Sequence, residues 1–380
     1  MSEIERLRST LGHKWSAHGP DVLPAFVADM DFAPDPRIGA AISDLVDRGD
    51  LGYLFHHLDQ LPEVWHAWMH RRHGVDLDVE RMWNFTGALH AVEAVLQLMT
   101  QPGDGVVIFT PVYHVFQKVI EGGSRVVVGV PLASDGSFDP DDLARICDAE
   151  RPKAILLSQP HNPTGRVTTP AELAAIADVA ERHDLIVFSD EVWADLALSP
   201  HRHLPTVREP RLADRTITIG AASKAFNLAG LSCAMAHFGH APTQAAFEAA
   251  PDHLIGRPSS LSAAGVFTAW SECEDWLEAT CRQIAANAAH LEQRLLAEAP
   301  HVGYRPPEAG YLTWLDLRQT GLGDMPAERI LEDHKLALNE GDEFGPGGAG
   351  FVRLNVATYP DILDQVIDRL VVAVDKAGNP

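Results

Sequence analysis

An α/β fold is what the sequence predicts: a large domain with a mostly parallel sheet sandwiched by helices, plus a smaller α+β domain drawn from both chain ends. Three observations predict it. The chain has 380 residues, too many for one simple core. Short β-rich runs alternate with helical stretches through most of its length. Several of those runs are apolar throughout rather than alternating, as strands covered on both faces are.

The elements follow in order. Strand candidates are 106–110 (VVIFT), 154–158 (AILLS), 185–189 (LIVFS), 216–220 (TITIG) and 233–238 (CAMAHF). Residues 90–98 read as a helix, and residues 170–182 carry Pro at the helix start with apolar positions at helical spacing. A long helical run over 274–299 leads out of the sheet region. After it come GYLTWLDL and GFVRLNVA, each followed by a helical segment. The expected boundaries are 1–44 for an N-terminal segment that packs with the small domain, 45–285 for the large domain and 286–380 for the small one.

Composition bounds the function. Thirty Lys and Arg face 53 Asp and Glu, a formal charge of −23, which repels phosphate backbones and argues against nucleic-acid binding. No run approaches the ~18 apolar residues that a membrane span needs. The opening MSEIERLRSTLGHKW has no apolar core of a secretory signal. The four cysteines, Cys147, Cys233, Cys273 and Cys281, show no CxxC spacing, and Cys233 in its apolar run reads as a packed thiol. A cytoplasmic, reduced protein is expected.

In an open α/β sheet, ligands bind beyond the carboxyl ends of the strands. After AILLS comes QPHNPTG, which sets Asn162 between Pro160 and Pro163. After LIVFS come Asp190 and Glu191, and after TITIG come Ser223 and Lys224. Phe85 to Leu89 (FTGAL) leads into a helix whose free N-terminus suits a phosphate. A lysine forms a Schiff base with an aldehyde, an Asp keeps a pyridine nitrogen protonated, and an Asn donates to a phenolic oxygen. Together they meet the requirements of pyridoxal phosphate, an electron sink.

The chain resembles the fold type I pyridoxal-phosphate enzymes of the class I/II aminotransferase group, and within it the bacterial cystathionine β-lyase and cystalysin-like C–S lyases. Beyond the segments above, the resemblance rests on VADMDF at 27–32, Gly52-Tyr53, Pro111-Val112-Tyr113, SKAFNLAGL at 223–231 and Arg353-Leu354-Asn355. It implies that Lys224 is the Schiff-base lysine and general base, and that Asp190 and Asn162 hold the pyridinium and the phenolic oxygen. It implies Tyr113 stacked on the ring, with Gly87, Ala88 and Ser223 on the phosphate and Tyr53 reaching in from a second subunit. Arg353 would grip the substrate carboxylate, with Asp29 and His114 also on the substrate side and Trp193 beside the cofactor.

Three positions depart from the family pattern. Ser232 stands where many aminotransferases carry a phosphate-binding arginine, which favours the lyase branch. His114 stands where some C–S lyases have a second tyrosine, and Trp193 where relatives have Tyr or His. The expected reaction is α,β-elimination from an S-substituted cysteine by a homodimer. The alternatives are transamination, decarboxylating or oxidative deamination of a cysteine-type thioether, and a non-enzymatic regulator that keeps the fold. No metal is expected: His66, His70 and His73 read as a solvated helical face, and His201 and His203 as residues of a polar loop. The glycine-rich 341–350 stretch lacks P-loop spacing.

Overall fold

The computed structural model describes residues 2–251 and 255–378. A two-residue strand, β1 (Leu23–Pro24), precedes a seven-stranded sheet. Its strands are β2 (Met82–Phe85), β3 (Gly105–Thr110), β4 (Val126–Pro131), β5 (Ala154–Ser158), β6 (Ile186–Asp190), β7 (Thr216–Gly220) and β8 (Ala234–Phe238). They lie in the order β2-β8-β7-β6-β5-β3-β4, and only β8 runs against its neighbours. Every residue of β3, β5, β6, β7 and β8 is buried, which is why those strands read as unbroken apolar runs.

Helices cover both faces. Leu96, Phe116 and Phe247 pack over Ile108 and Phe188 on one side, while Leu143, Cys147, Leu173 and Ile176 pack over Val107 and Val187 on the other. The helix Pro170–His183 starts as its sequence dictates: Pro170 follows Thr169, whose side chain forms a capping box with Glu172. Cys233 is buried in the apolar core.

The C-terminal part forms a four-stranded antiparallel sheet. Its strands are β9 (Gly303–Tyr304), β10 (Leu312–Asp316), β12 (Asn339–Glu340) and β13 (Phe351–Asn355), in the order β12-β13-β10-β9. The short β11 (Leu336–Ala337) instead pairs with β1 in parallel, tying the N-terminal segment to this end of the chain. The helix Glu274–Glu298 connects the two sheets, and Asn287 from its middle donates to the carbonyls of Val356 (2.8 Å) and Thr358 (2.7 Å). Because β2, β3, β5, β6 and β7 point the same way, their C-terminal ends share one edge of the large sheet, and the small sheet stands beside that edge.

Candidate active site

Asp190 ends β6, in register with Ser158 of β5 and Ile219 of β7. Its backbone is locked, since its carbonyl accepts from the Gln159 N–H at 2.9 Å. Its carboxylate is buried and, among the described residues, accepts only from the Val192 N–H, at 3.3 Å. Burial pushes this carboxyl up to about 7; the Val192 N–H and the Lys224 charge oppose the rise, and Glu191 adds to it. Among the described residues no cation is in ion-pair contact with it. Glu191 next door is the opposite case. It accepts from Ser189 Oγ (2.9 Å), the Thr206 N–H (3.0 Å) and His203 Nε2 (2.9 Å), and is held below the usual carboxylate range despite burial. Glu191 is satisfied; Asp190 is not.

Lys224 sits in the short helix Ala222–Ala225 just beyond β7. Gly220, the last residue of β7, lies against Trp65, where an added Cβ would meet Cζ2 at 2.7 Å. Lys224 Nζ donates to the Ala28 carbonyl at 3.2 Å, and the Tyr311 hydroxyl donates to the same oxygen at 2.8 Å. Burial pulls the lysine below the ordinary amine value. Asp29 opposes that shift, the Arg353 cation adds to it, and Asp190 opposes it. A depressed amine is the state in which lysine acts as nucleophile and base.

Arg353, on β13, crosses from the small sheet to the large one. Its Nη1 donates to Asn162 Oδ1 at 3.1 Å and its Nη2 to Asn339 Oδ1 at 2.7 Å. Its guanidinium lies over the Phe344 ring, 4.8 Å from the centroid. The side chain is buried, Nε has no partner, and no carboxylate is in ion-pair contact with it among the described residues. Burial pulls even this group down to about 10. An unpaired cation in a dry site is unfavourable until an anion reaches it, so the geometry is that of a carboxylate receiver. Asn162 is fixed from both sides: its N–H donates to Ser158 Oγ at 3.2 Å and its carbonyl accepts from the Tyr113 N–H at 3.0 Å.

The remaining predicted residues are placed as follows. Gly87 precedes the helix Ala88–Met99, which has no side-chain cap and so leaves its first N–H groups free. Ser223 adjoins Lys224. Tyr113 is half-buried, and burial raises its hydroxyl. His114 sets its ring edge against Phe344 at 6.0 Å; its Nδ1 is buried without a partner, and burial, Lys118 and Arg353 hold the imidazole low. Trp193 packs edge-on to Tyr311 at 4.9 Å. Asp29 lies within electrostatic reach of Lys224. Tyr53 is not brought to the others: it is 99% exposed, its ring 6.5 Å from that of Phe55.

Two readings of the histidines need correction. His66, His70 and His73 do not share a solvated face, because His73 turns inward and bonds Asp195 at 2.8 Å with only 6% of its side chain exposed. His203 does lie in a loop, but it is buried on Glu191 rather than set among solvated polar residues. Spacing shows that residues share a helix side but not that a carboxylate waits beneath them. Sequence reasoning also missed Tyr311, Asn339 and Phe344. The glycine-rich stretch was the available signal for Phe344: a Cβ on Gly341 would stand 2.2 Å from the Gly348 carbonyl oxygen, and that tight fold carries Phe344 under Arg353.

The family model for aminotransferase class I and II matches residues 27–370. The cystathionine beta-lyase PatB of Bacillus subtilis (strain 168) is 33% identical, covering 95% of this chain and 97% of that protein. The arginine–pyruvate transaminase AruH of Pseudomonas aeruginosa is 32% identical, covering 93% and 90%. Among solved structures, cystalysin from Treponema denticola, which contains pyridoxal 5′-phosphate, superposes with a TM-score of 0.90 at 29% identity over 97% of each chain.

Proposed function

This chain belongs to the class I and II aminotransferase family, and on that premise we propose that it is a pyridoxal-phosphate-dependent C–S β-lyase that cleaves an S-substituted cysteine to a thiol, pyruvate and ammonia. One observation carries the reading. The depressed Lys224 amine, the unpaired Asp190 carboxyl and the unpaired Arg353 cation stand at one sheet edge, each lacking the partner that this chemistry would bring. When bound, the cofactor supplies an aldehyde for the lysine and a cationic ring that draws electrons from the substrate Cα.

The residues fit that group. Asp190 would hold the ring nitrogen's proton, and Asn162 would donate from Nδ2, because its Oδ1 is already taken by Arg353. Tyr113 would cover the ring, with Trp193 beside it. The free helix start at Gly87 and Ala88, with Ser223, would take the phosphate. Arg353 would hold the substrate carboxylate, with Asp29 and His114 lining the rest of the substrate. Lys224 removes the Cα proton, the C–S bond breaks with its electron pair on sulfur, the thiolate takes up a proton, and one water completes the hydrolysis to pyruvate and ammonia.

A second copy of the chain would complete the site. Tyr53 stands fully out with exposed Leu51 and half-exposed Phe55, an apolar cluster suited to a homodimer that carries Tyr53 to the partner's phosphate. We place the domain change within the helix Glu274–Glu298, near residue 285. No described helix is long and apolar enough to cross a membrane, and a cytoplasmic enzyme is proposed.

Transamination is the second reading, supported by the likeness to the transaminase AruH. A product assay separates the two. With cystathionine and several S-alkyl cysteines, the lyase releases thiol and pyruvate in equal amounts without a keto-acid acceptor. Turnover that requires a keto acid, with sulfur kept in the product, would establish the transaminase instead.

The Arg353 assignment has its own test. Lysine keeps the charge but cannot make the planar two-point grip or keep both amide contacts. Arg353→Lys is expected to cut kcat/KM by roughly 30- to 1000-fold, the equivalent of about 2–4 kcal/mol for a charge-assisted pair. A less stable protein with parental kcat/KM would make this arginine structural.

A further inference from the structure

The segment at 27–32 has a conformation that its own residues do not favour. Val27 is at φ 58°, in the left-handed region that a β-branched side chain disfavours. Contacts from elsewhere hold it there. Asn355 Nδ2 donates to the carbonyls of both Val27 (2.8 Å) and Asp29 (2.7 Å), and the Asn355 N–H donates to the Ala25 carbonyl at 2.8 Å. Asn227 Oδ1 accepts from the Met30 N–H at 3.0 Å, and its Nδ2 donates to the carbonyls of Met30 (3.0 Å) and Phe32 (3.1 Å). Lys14 adds a buried ion pair to Asp31 at 3.0 Å.

These contacts single out one carbonyl. The oxygens of Val27 and Asp29 are taken by a single amide, and the oxygen between them, that of Ala28, receives Lys224 Nζ and the Tyr311 hydroxyl instead. The two amides also have telling positions. Asn227 lies three residues after Lys224, and Asn355 two after Arg353. Asn355 therefore shares β13 with Arg353, Asn227 stands in the turn just past the short helix that carries Lys224, and the strap between the two amides fixes where the lysine's acceptor stands.

We propose that Asn227 and Asn355 are positioning residues, which clamp the 27–32 strap so that the Ala28 carbonyl, steadied by Tyr311, docks the Lys224 amine and sets its direction. A neutral amine has two hydrogens and one lone pair. Once one hydrogen is committed to Ala28, rotation about the lysine's last bond is restricted and the lone pair is aimed. General-base efficiency depends on that aim, because a proton is transferred over a hydrogen-bond distance. The inference rests on the proposed role of Lys224, and its test separates the two.

Asn355→Ala and Asn227→Ala are compared with the parent holoenzyme by amide hydrogen exchange, cofactor content and steady-state kinetics. Asn227 is partly exposed, so water can satisfy the carbonyls it leaves, and that variant decides alone if Asn355→Ala does not fold. Each variant is expected to keep its cofactor and to exchange faster at 27–32. Each is expected to lose about 10- to 100-fold in kcat with a smaller change in KM, as misaimed groups do. Unchanged exchange, or faster exchange with parental kcat, overturns the clamp. A parent protein that binds no pyridoxal phosphate would overturn the functional reading instead, whatever the variants do.

Discussion

Lys224→Ala abolishes turnover on the proposed mechanism, with kcat expected to fall by at least about 10³-fold, near the upper range for loss of a positioned base and nucleophile. Two of the other lysines are placed for other tasks or in solvent. The chain has six lysines; Lys14 is committed to its ion pair with Asp31, and Lys118 is exposed on the helix Val115–Gly122. The variant should still fold, because among the described residues the Lys224 amine hydrogen-bonds only to Ala28, whose carbonyl keeps the Tyr311 hydroxyl. The cofactor should bind reversibly and wash out on dialysis. A small primary amine added to the assay should restore part of the rate, since only the base and its charge are missing. Borohydride reduction of the parent, followed by peptide mapping, should place the pyridoxyl group on Lys224. Label on another lysine, or turnover of the variant within tenfold of the parent, would refute the assignment.

What the sequence made legible follows from local physics. Strands β3, β5, β6, β7 and β8 are covered on both faces, so their burial is written as continuous apolar runs. The residues after β5, β6 and β7 could then be read as one crevice. Both edge strands escaped that reading. β2 is only four residues long with Trp83 and Asn84 half-exposed, and β4 alternates buried and open positions around Gly129. The clamp was less legible still. Asn227 and Met30 are 197 residues apart, and Asn355 and Val27 are 328 apart, so nothing in either local pattern announces the bonds between them. VADMDF and SKAFNLAGL were visible as motifs; that one holds the other is a tertiary fact. His203 and His73 failed for the same reason, since their carboxylates come from Glu191 and Asp195 on another segment.

Asp190→Asn should act with opposite signs on the two forms of the protein. In the chain alone, burial raises this carboxyl from its ordinary 3.8 to about 7. The folded state therefore binds a proton more tightly than the unfolded state, so stability falls as pH rises from about 4 to about 7 and stays low above it, by about 4 kcal/mol in all. Asparagine preserves the shape and has no charge to bury. The apoprotein of the variant should consequently melt higher than the parent at pH 8 and close to it at pH 4.5. With cofactor the order reverses: a cationic ring nitrogen repays the buried carboxylate, and the parent gains more from binding than the variant does. The same pair stabilises negative charge that develops at the substrate Cα, so kcat of Asp190→Asn should drop by about 10²- to 10³-fold even at saturating cofactor. Melting curves of both forms at the two pH values, beside kcat, test the whole chain of reasoning. Equal apoprotein melting temperatures at pH 8 would mean that Asp190 is not strained by burial. Normal turnover in the loaded variant would mean that its charge does not serve the reaction.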